Sequence, residues 1–554
     1  MGLCPLERSA GNWNKRSIMA DKVFYNGKIY TMAGGKLSPV SAVAVTGHRI
    51  EAVGSDEDML QLAKEGCEKI DLEGHCVLPG FNDSHCHVLP TGLEQEKVSL
   101  RGARSIEECI RRCREHIEKS HLPEGSWICG SGFNHNIFED EKRVPDRHDL
   151  DRISTKHPII FDRVCGHIAG VNDLALKAVG FDAQTVVTGG VLDKDADGRL
   201  TGILREAALD LFKQRMPKAD VESAKRAILH VFREAAACGL TSMQTDDLEG
   251  APLDVVIQDY NELEKEGLAT VRIFEEVQAA RVPVLREFLK KGLRTGDGSR
   301  FFKIGNIKLL TDGSLGARTA FLREPYSDEP DNRGVAVYTQ EALNEVVMEA
   351  HRAGMQVACH AIGDGATAQC IEAFRLAWES DHVDLRNRIV HCQFVDEQML
   401  DDMARFHICA DTQPPFVPTD YPLTASRLGD RERGGYVWKS MLEKGISIGG
   451  GSDSPVETFD PIWGIHCAVN RTDPDGNPPG GWHPQEKLTV QEAVSVYTAG
   501  GAYLSFEENK KGTIEAGKLA DMVVLDRDIF EIPEEEIRYL HTVMTVMDGK
   551  IVFS

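Results

Sequence analysis

The sequence predicts an α/β protein in which a long middle section builds a parallel sheet and the two ends combine into one small β domain. Two patterns lead to this reading. Between about residues 81 and 503, short apolar, β-branched runs are each followed by an amphipathic helical stretch, and the later pairs recur at the roughly 30–60-residue spacing of βα units. Outside that section the chain instead reads as short strands separated by turn dipeptides. Composition agrees, because 42% hydrophobic and 27% charged residues over 554 positions supply a large core and exclude disordered and collagen-like classes.

Residues 1–21 read as a tail, with Met19 as a natural start before the first strand. VFYNGKIYTM then carries Asn26-Gly27, a dipeptide suited to a type I′ hairpin turn, and AVAVTGHRIEAVG (42–54) repeats the pattern. The far end mirrors this: GTIEAGKLADMVVLD (512–526) gives a turn and a buried run, and TVMTVMDGKIVFS sets Asp548-Gly549 between two apolar strands. In the middle, strand-then-helix pairs fall at 272–275 with 282–291, at 356–360 with 366–379 and at 388–391 with 396–406, and a further strand falls at 307–310. A polar, Gly-rich stretch at about 95–205 breaks the rhythm and reads as an insertion between the first and second strands. An open doubly wound sheet and a closed eight-stranded barrel both fit this periodicity. TDPDGNPPGGWHP (472–484) has the chemistry of an exposed loop, with Trp482 either a lid contact or an anchor.

Charge narrows the partners. With 63 Lys+Arg against 87 Asp+Glu, the net charge of −24 argues against a nucleic-acid partner, which would call for a basic patch. The chain has no apolar run near the ~20 residues of a membrane span and no apolar secretory stretch in its first 20 positions, so a cytoplasmic protein with no membrane partner is expected. Fourteen scattered cysteines read as reduced thiols. A small-molecule substrate is the expected partner, and a homodimer is compatible with the sequence.

The strongest chemical signal is LPGFNDSHCH, residues 78–87. Side chains at i and i+2 of a strand share a face, so His85 and His87 can reach one metal ion while Cys86 points away. His360, His391 and Asp453 each close an apolar strand-like run, where parallel α/β sheets place reactive groups. A buried histidine bonded to a carbonyl explains any one of them; it explains the ordered set poorly. Imidazole nitrogen suits zinc and similar divalent ions, and a catalytic site keeps one position open for water. Lys308 lies within an apolar run, IKLLTDGS, where a charged amine needs a partner or a modification. It reads either as a carbamate able to bridge two cations or as a snorkelling lysine paired with Asp312 or another carboxylate.

In this order, Pro79-Gly80-Phe81, Asp83, His85, His87, Lys308, His360, His391 and Asp453 resemble the amidohydrolase superfamily of metal-dependent hydrolases, as does GTIEAGKLAD (512–521). KLLTDGSLGARTA (308–320), RVCGHIAGVN (163–172) and the insertion are similar to its amidohydrolase-3, YtcJ-like branch, which includes N-substituted formamide deformylases. The resemblance implies a TIM-type (β/α)₈ barrel over 81–503, with an insertion subdomain at about 95–205, and a β-sandwich built from 22–80 and 504–554. It implies one or two divalent ions, zinc foremost, with His85, His87 and Asp453 holding the more buried one, His360 and His391 the more exposed one, and Lys308 at the position of the carbamylated bridge. The activity it implies is hydrolysis of an amide, formamide or cyclic amide C–N bond by metal-activated water, with Asp453 as general base and then acid. Arg163, His167, Asp312 and Arg318 are the candidate substrate contacts, and Phe133-Asn134 stands where relatives often carry Trp-Asp. The alternatives are a deaminase, carbamate or ester hydrolase or lactonase of the same fold, or a binding protein without chemistry.

Overall fold

The structure is a computed structural model that describes residues 19–554 except 36, 121, 165, 166, 188 and 189. Residues 1–18 of the expected tail, and Cys165-Gly166 of the RVCGHIAGVN segment, lie outside the described residues. The chain forms two compact units.

The first unit, Met1–Val88, Leu229–Leu248 and Ile257–Ser554, contains the parallel sheet. Its strands are β1 (Phe81–Cys86), β2 (Leu240–Thr245), β3 (Arg272–Gln278), β4 (Phe302–Leu310), β5 (Val357–Ala361), β6 (Arg388–His391), β7 (Cys409–Thr412) and β8 (Ile448–Gly450). They pair in chain order, every pair parallel. Backbone hydrogen bonds then join the residues after β8 to β1: Asp453 N donates to His85 O at 2.8 Å and His87 N to Ser454 O at 2.8 Å. These contacts close the sheet into a TIM-type barrel and exclude the open-sheet alternative. Gly80 admits the first strand, since a Cβ there would lie 2.3 Å from Thr241 Oγ1.

The barrel helices start where their caps dictate. Thr339 accepts from Ala342 N to begin Gln340–Arg352, and Asp396 accepts from Met399 N to begin Glu397–Arg405. Inside the barrel sits a charged network. Arg388, completely buried, reaches Glu276 at 2.8 Å, Gln244 at 2.7 Å and Asp411 at 3.2 Å, so one guanidinium lies between two buried carboxylates.

Both ends of the chain supply two sheets of this unit. One sheet orders Arg49–Gly54, Ala42–Thr46, Ala20–Tyr25 and Ala63–Asp71; the other orders Lys28–Ile29, Cys76–Pro79, Met522–Leu525, Thr542–Met547 and Lys550–Phe553. Phe24, Val43, Val45 and Ile50 of the first share one apolar core with Val77, Met522, Val524 and Val546 of the second, which makes a sandwich. Arg272 of β3 ties this sandwich to the barrel through Asp521 at 2.8 Å and Asp548 at 3.0 Å. The Asp548-Gly549 turn has φ of 55° and 74°, both positive as a type I′ turn requires. The Asn26-Gly27 expectation is corrected: Asn26 has φ of 58°, but the strands on either side join different sheets, so no hairpin forms. A Cβ at Gly27 would lie 2.7 Å from Leu72 Cδ1, so a side chain there would displace Leu72. The first strand begins at Ala20, inside the expected tail, since Ala20 is buried and its N–H donates to Leu62 O.

The second unit, Leu89–Ile228 with Glu249–Val256, is wider than the expected insertion at about 95–205. It holds a six-stranded mixed sheet ordered Gly190–Lys194, Leu200–Glu206, Ile168–Val171, Ile159–Arg163, Ile128–Phe133 and Val98–Ser99. Helices pack on this sheet over its own apolar cores, one around Leu100, Ile110 and Phe161 and one around Leu176, Leu204 and Phe212. Among the described residues no helix is long and apolar enough to cross a membrane.

Two stability predictions follow from the first unit. Arg388→Met leaves Asp411 buried without its cation and Glu276 with Lys308 and His85 alone, and is expected to cost about 3–5 kcal/mol, read as a lower urea midpoint with an unchanged m-value. His466, in the helix Pro461–Asn470, is pushed down to about 4 by burial, with Arg538 adding to the effect. The unfolded chain therefore takes up a proton near pH 6.5 that the fold refuses until about pH 4. Stability should fall as pH drops through that window, by on the order of 3 kcal/mol, and His466→Gln should flatten the slope measured by denaturation at pH 4.5 and 7.5.

Candidate metal centre

The closed seam places Asp453 against the two histidines of β1 and the turn after it. Asp453 Oδ1 lies 3.2 Å from His85 Nε2 and 3.2 Å from His87 Nε2, and one ligand atom from each residue falls within 4.8 Å of the others. As the period-two argument requires, Cys86 points away and donates to Gln244 O. The remaining ring nitrogens are occupied: His87 Nδ1 is 3.0 Å from Asp246 O, and His85 Nδ1 is 3.1 Å from Glu276 Oε2. Next to them, His391 at the end of β6 lies with its ring centroid 6.0 Å from that of His85 and 4.5 Å from that of His360 on β5. His391 Nδ1 meets Gln413 Oε1 at 2.9 Å and His360 Nε2 meets Gly313 O at 3.1 Å, so these rings too are oriented and keep a second nitrogen. Lys308 Nζ, buried, lies 3.0 Å from His85 Nε2 and 3.4 Å from Glu276 Oε2.

The electrostatics of this arrangement call for positive charge. With protons on their Nδ1 atoms, His85 and His87 both turn Nε2 toward one anionic oxygen; Lys308 Nζ, 3.0 Å from His85 Nε2, offsets this at His85, and at His87 the approach is repulsive unless a proton or a cation lies between. Burial and Lys308 both act to lower the His85 pKa, yet Glu276 and the hydrogen bond to Asp453 outweigh them and push it up to about 9. Burial also opposes charge on His87, and Asp453 again raises it. Burial would raise the carboxyl of Asp453, but the hydrogen bonds from His85 and His87 hold it well below the usual carboxylate range. His391 is held well below the usual imidazole range by burial first and His360 second, which keeps it a neutral donor. Two imidazole nitrogens and a carboxylate oxygen, buried and converging, fit a borderline divalent cation such as zinc.

Residues 68–553 match the family model described as "Amidohydrolase family". The chain belongs to the amidohydrolase family. A putative amidohydrolase, YtcJ, of Bacillus subtilis is 33% identical over 96% of this chain and 99% of its own. The N-substituted formamide deformylase of Arthrobacter pascens is 25% identical over 96% of this chain and 98% of its own. Among solved structures, an uncharacterized metal-dependent hydrolase from Pyrococcus furiosus superposes with a TM-score of 0.78 at 30% identity, over 92% of this chain and all of its own. These relatives place the amidohydrolase in the YtcJ-like branch.

Not every residue singled out in the sequence joins the centre of this amidohydrolase. Lys308 does not pair with Asp312; its carboxylate neighbour is Glu276. Asp312 instead accepts the amide protons of Phe321, Ile362 and Gly363 and lies 3.3 Å from His360 Nε2, so it holds together the loops above β4 and β5. Arg318 pairs with Asp328 at 2.9 Å and Glu329 at 3.5 Å, the acidic-loop pairing that competes with a pocket role. Arg163 and His167 belong to the second unit, where Arg163 Nη2 meets Asn134 Oδ1 at 3.4 Å and the exposed His167 meets Glu206 at 3.2 Å. Trp482 is buried, its backbone bonded to Arg471 on both sides, which makes it an anchor of its loop. The sequence reading passed over Glu276 and Gln413. An acidic pair inside an apolar strand run, RIFEEVQ, was the available signal for the first, and polar residues closing β7, ADTQ, for the second.

Proposed function

We propose that this amidohydrolase hydrolyses a C–N bond other than a peptide bond, in an amide, formamide or cyclic amide of a small molecule, with one or two divalent ions, zinc foremost. The observation that carries this reading is the convergence of His85, His87 and Asp453 to within 4.8 Å. The formamide deformylase among the relatives supports the choice of bond, and the metal-dependent hydrolase of P. furiosus supports the choice of cofactor. His85, His87 and Asp453 would hold the buried ion, and His360 and His391 a second, more exposed one. Lys308 sits where its charge acts on both His85 and His391, and a carbamate formed there from its amine and carbon dioxide would supply a further anionic oxygen donor.

A divalent cation held by His85, His87 and Asp453 would lower the pKa of water from 15.7 toward about 7 and polarise a carbonyl oxygen. Asp453, held ionised by its imidazole neighbours, would accept the proton of the attacking water and then deliver it to the leaving nitrogen. Gln413 fixes the His391 ring and Gly313 the His360 ring, so both imidazoles keep their orientation while substrate exchanges.

Asp453→Asn keeps an oxygen donor but loses the base. Its metal content by elemental analysis should match the parent protein, while kcat on a panel of N-substituted formamides, amides and cyclic amides should fall by about 10²–10⁴-fold. Full turnover by this variant, or no turnover by the parent protein on any member of the panel, would contradict the proposal.

A further inference from the structure

We propose that Glu276 is a positioning residue that sets the ring tautomer of His85 and thereby keeps the Nε2 lone pair of His85 available to a divalent cation. The inference rests on the reading of His85, His87 and Asp453 as a metal site.

Glu276 lies on β3 with its side chain fully buried, and its two oxygens have different neighbours. Oε1 accepts from Arg388 Nη2 at 2.8 Å and from Asn306 Nδ2 at 3.0 Å. Oε2 turns the other way, 3.1 Å from His85 Nδ1 and 3.4 Å from Lys308 Nζ. A carboxylate only accepts hydrogen bonds, so Glu276 favours the proton on Nδ1; Nε2, 3.2 Å from Asp453 Oδ1 and 3.0 Å from Lys308 Nζ, is then the nitrogen left for the cation that Asp453 would share on the metal-site reading. His87 and His391 take the same tautomer from neutral oxygens, a backbone carbonyl and a glutamine amide. His85 Nδ1 instead lies 3.1 Å from an anion, whose charge favours a proton on that nitrogen. Arg388 holds Glu276 in turn, so the positioning begins at the barrel axis.

A glutamine at 276 has the same shape with different donors. Arg388 and Asn306 are both donors and claim its one oxygen, which leaves the amide NH₂ facing His85 Nδ1. His85 would then accept at Nδ1, carry its proton on Nε2 and present an N–H to the cation position. Aspartate keeps the acceptor-only chemistry at a shorter reach.

The test uses the full-length protein, stripped with a chelator and titrated with Zn²⁺ against a chromophoric competitor. Glu276→Gln should bind zinc 10–100-fold more weakly than the parent and should alter the visible bands of the Co²⁺-loaded protein, and Glu276→Asp should recover part of both. Urea denaturation of the metal-free proteins follows folding separately. Parent-like zinc affinity and an unchanged Co²⁺ spectrum in Glu276→Gln would overturn the proposal, whatever happened to stability. If that variant does not fold, a crystal structure of the zinc-loaded parent decides: the ion on His85 Nε2 supports the proposal, and the ion on Nδ1 overturns it. A parent protein that binds no zinc would instead overturn the underlying metal-site reading.

Discussion

The closure of the barrel between β1 and the turn after β8 is the constraint on which the functional geometry depends. Two backbone hydrogen bonds across this seam, with Asp83 accepting from Ser452 N and Oγ, bring Asp453 to His87 over a sequence separation of 366. The turn that delivers Asp453 is not relaxed. Asp453 has φ of 57° and His391 φ of 70°, left-handed conformations that cost non-glycine residues on the order of 1–3 kcal/mol each. Such conformations persist where surrounding bonds over-determine them, and at Asp453 the seam does so through its own backbone N–H.

The same seam explains why the barrel interior is charged. A carboxylate fixed against two imidazoles creates a demand for positive charge, and the layer beneath it is arranged around that demand. Glu276 links His85 and Lys308 above to Arg388 below, and Arg388 links onward to Asp411. His85, Lys308, Glu276, Arg388 and Asp411 each have an opposite partner within 3.4 Å, the condition under which ions survive in a low-dielectric interior.

How much of this the sequence disclosed depends on the range of each interaction. The His85–His87 pair was legible because strand alternation is local, and the strands carrying Lys308, His360 and His391 were legible because apolar runs end where the reactive side chains begin. Closure was not legible from periodicity, since an open sheet repeats in the same way and only the hydrogen bonds between the end of β1 and the turn after β8 distinguish the two. Asn26-Gly27 misled for a related reason: a turn dipeptide records that the chain reverses, while the sheet that the next strand joins is decided by Val77 and His75, remote in sequence. Glu276 stayed hidden because an acidic residue in a strand has meaning only once Arg388 and His85 are placed on either side of it.

The central claim is that the seam builds a cation site from His85, His87 and Asp453. Anomalous diffraction at the zinc edge from crystals of the metal-loaded protein tests it most directly. The account predicts a peak about 2.0–2.2 Å from His85 Nε2, His87 Nε2 and a carboxylate oxygen of Asp453. A stoichiometrically loaded protein whose anomalous peak lies away from these three residues would contradict it.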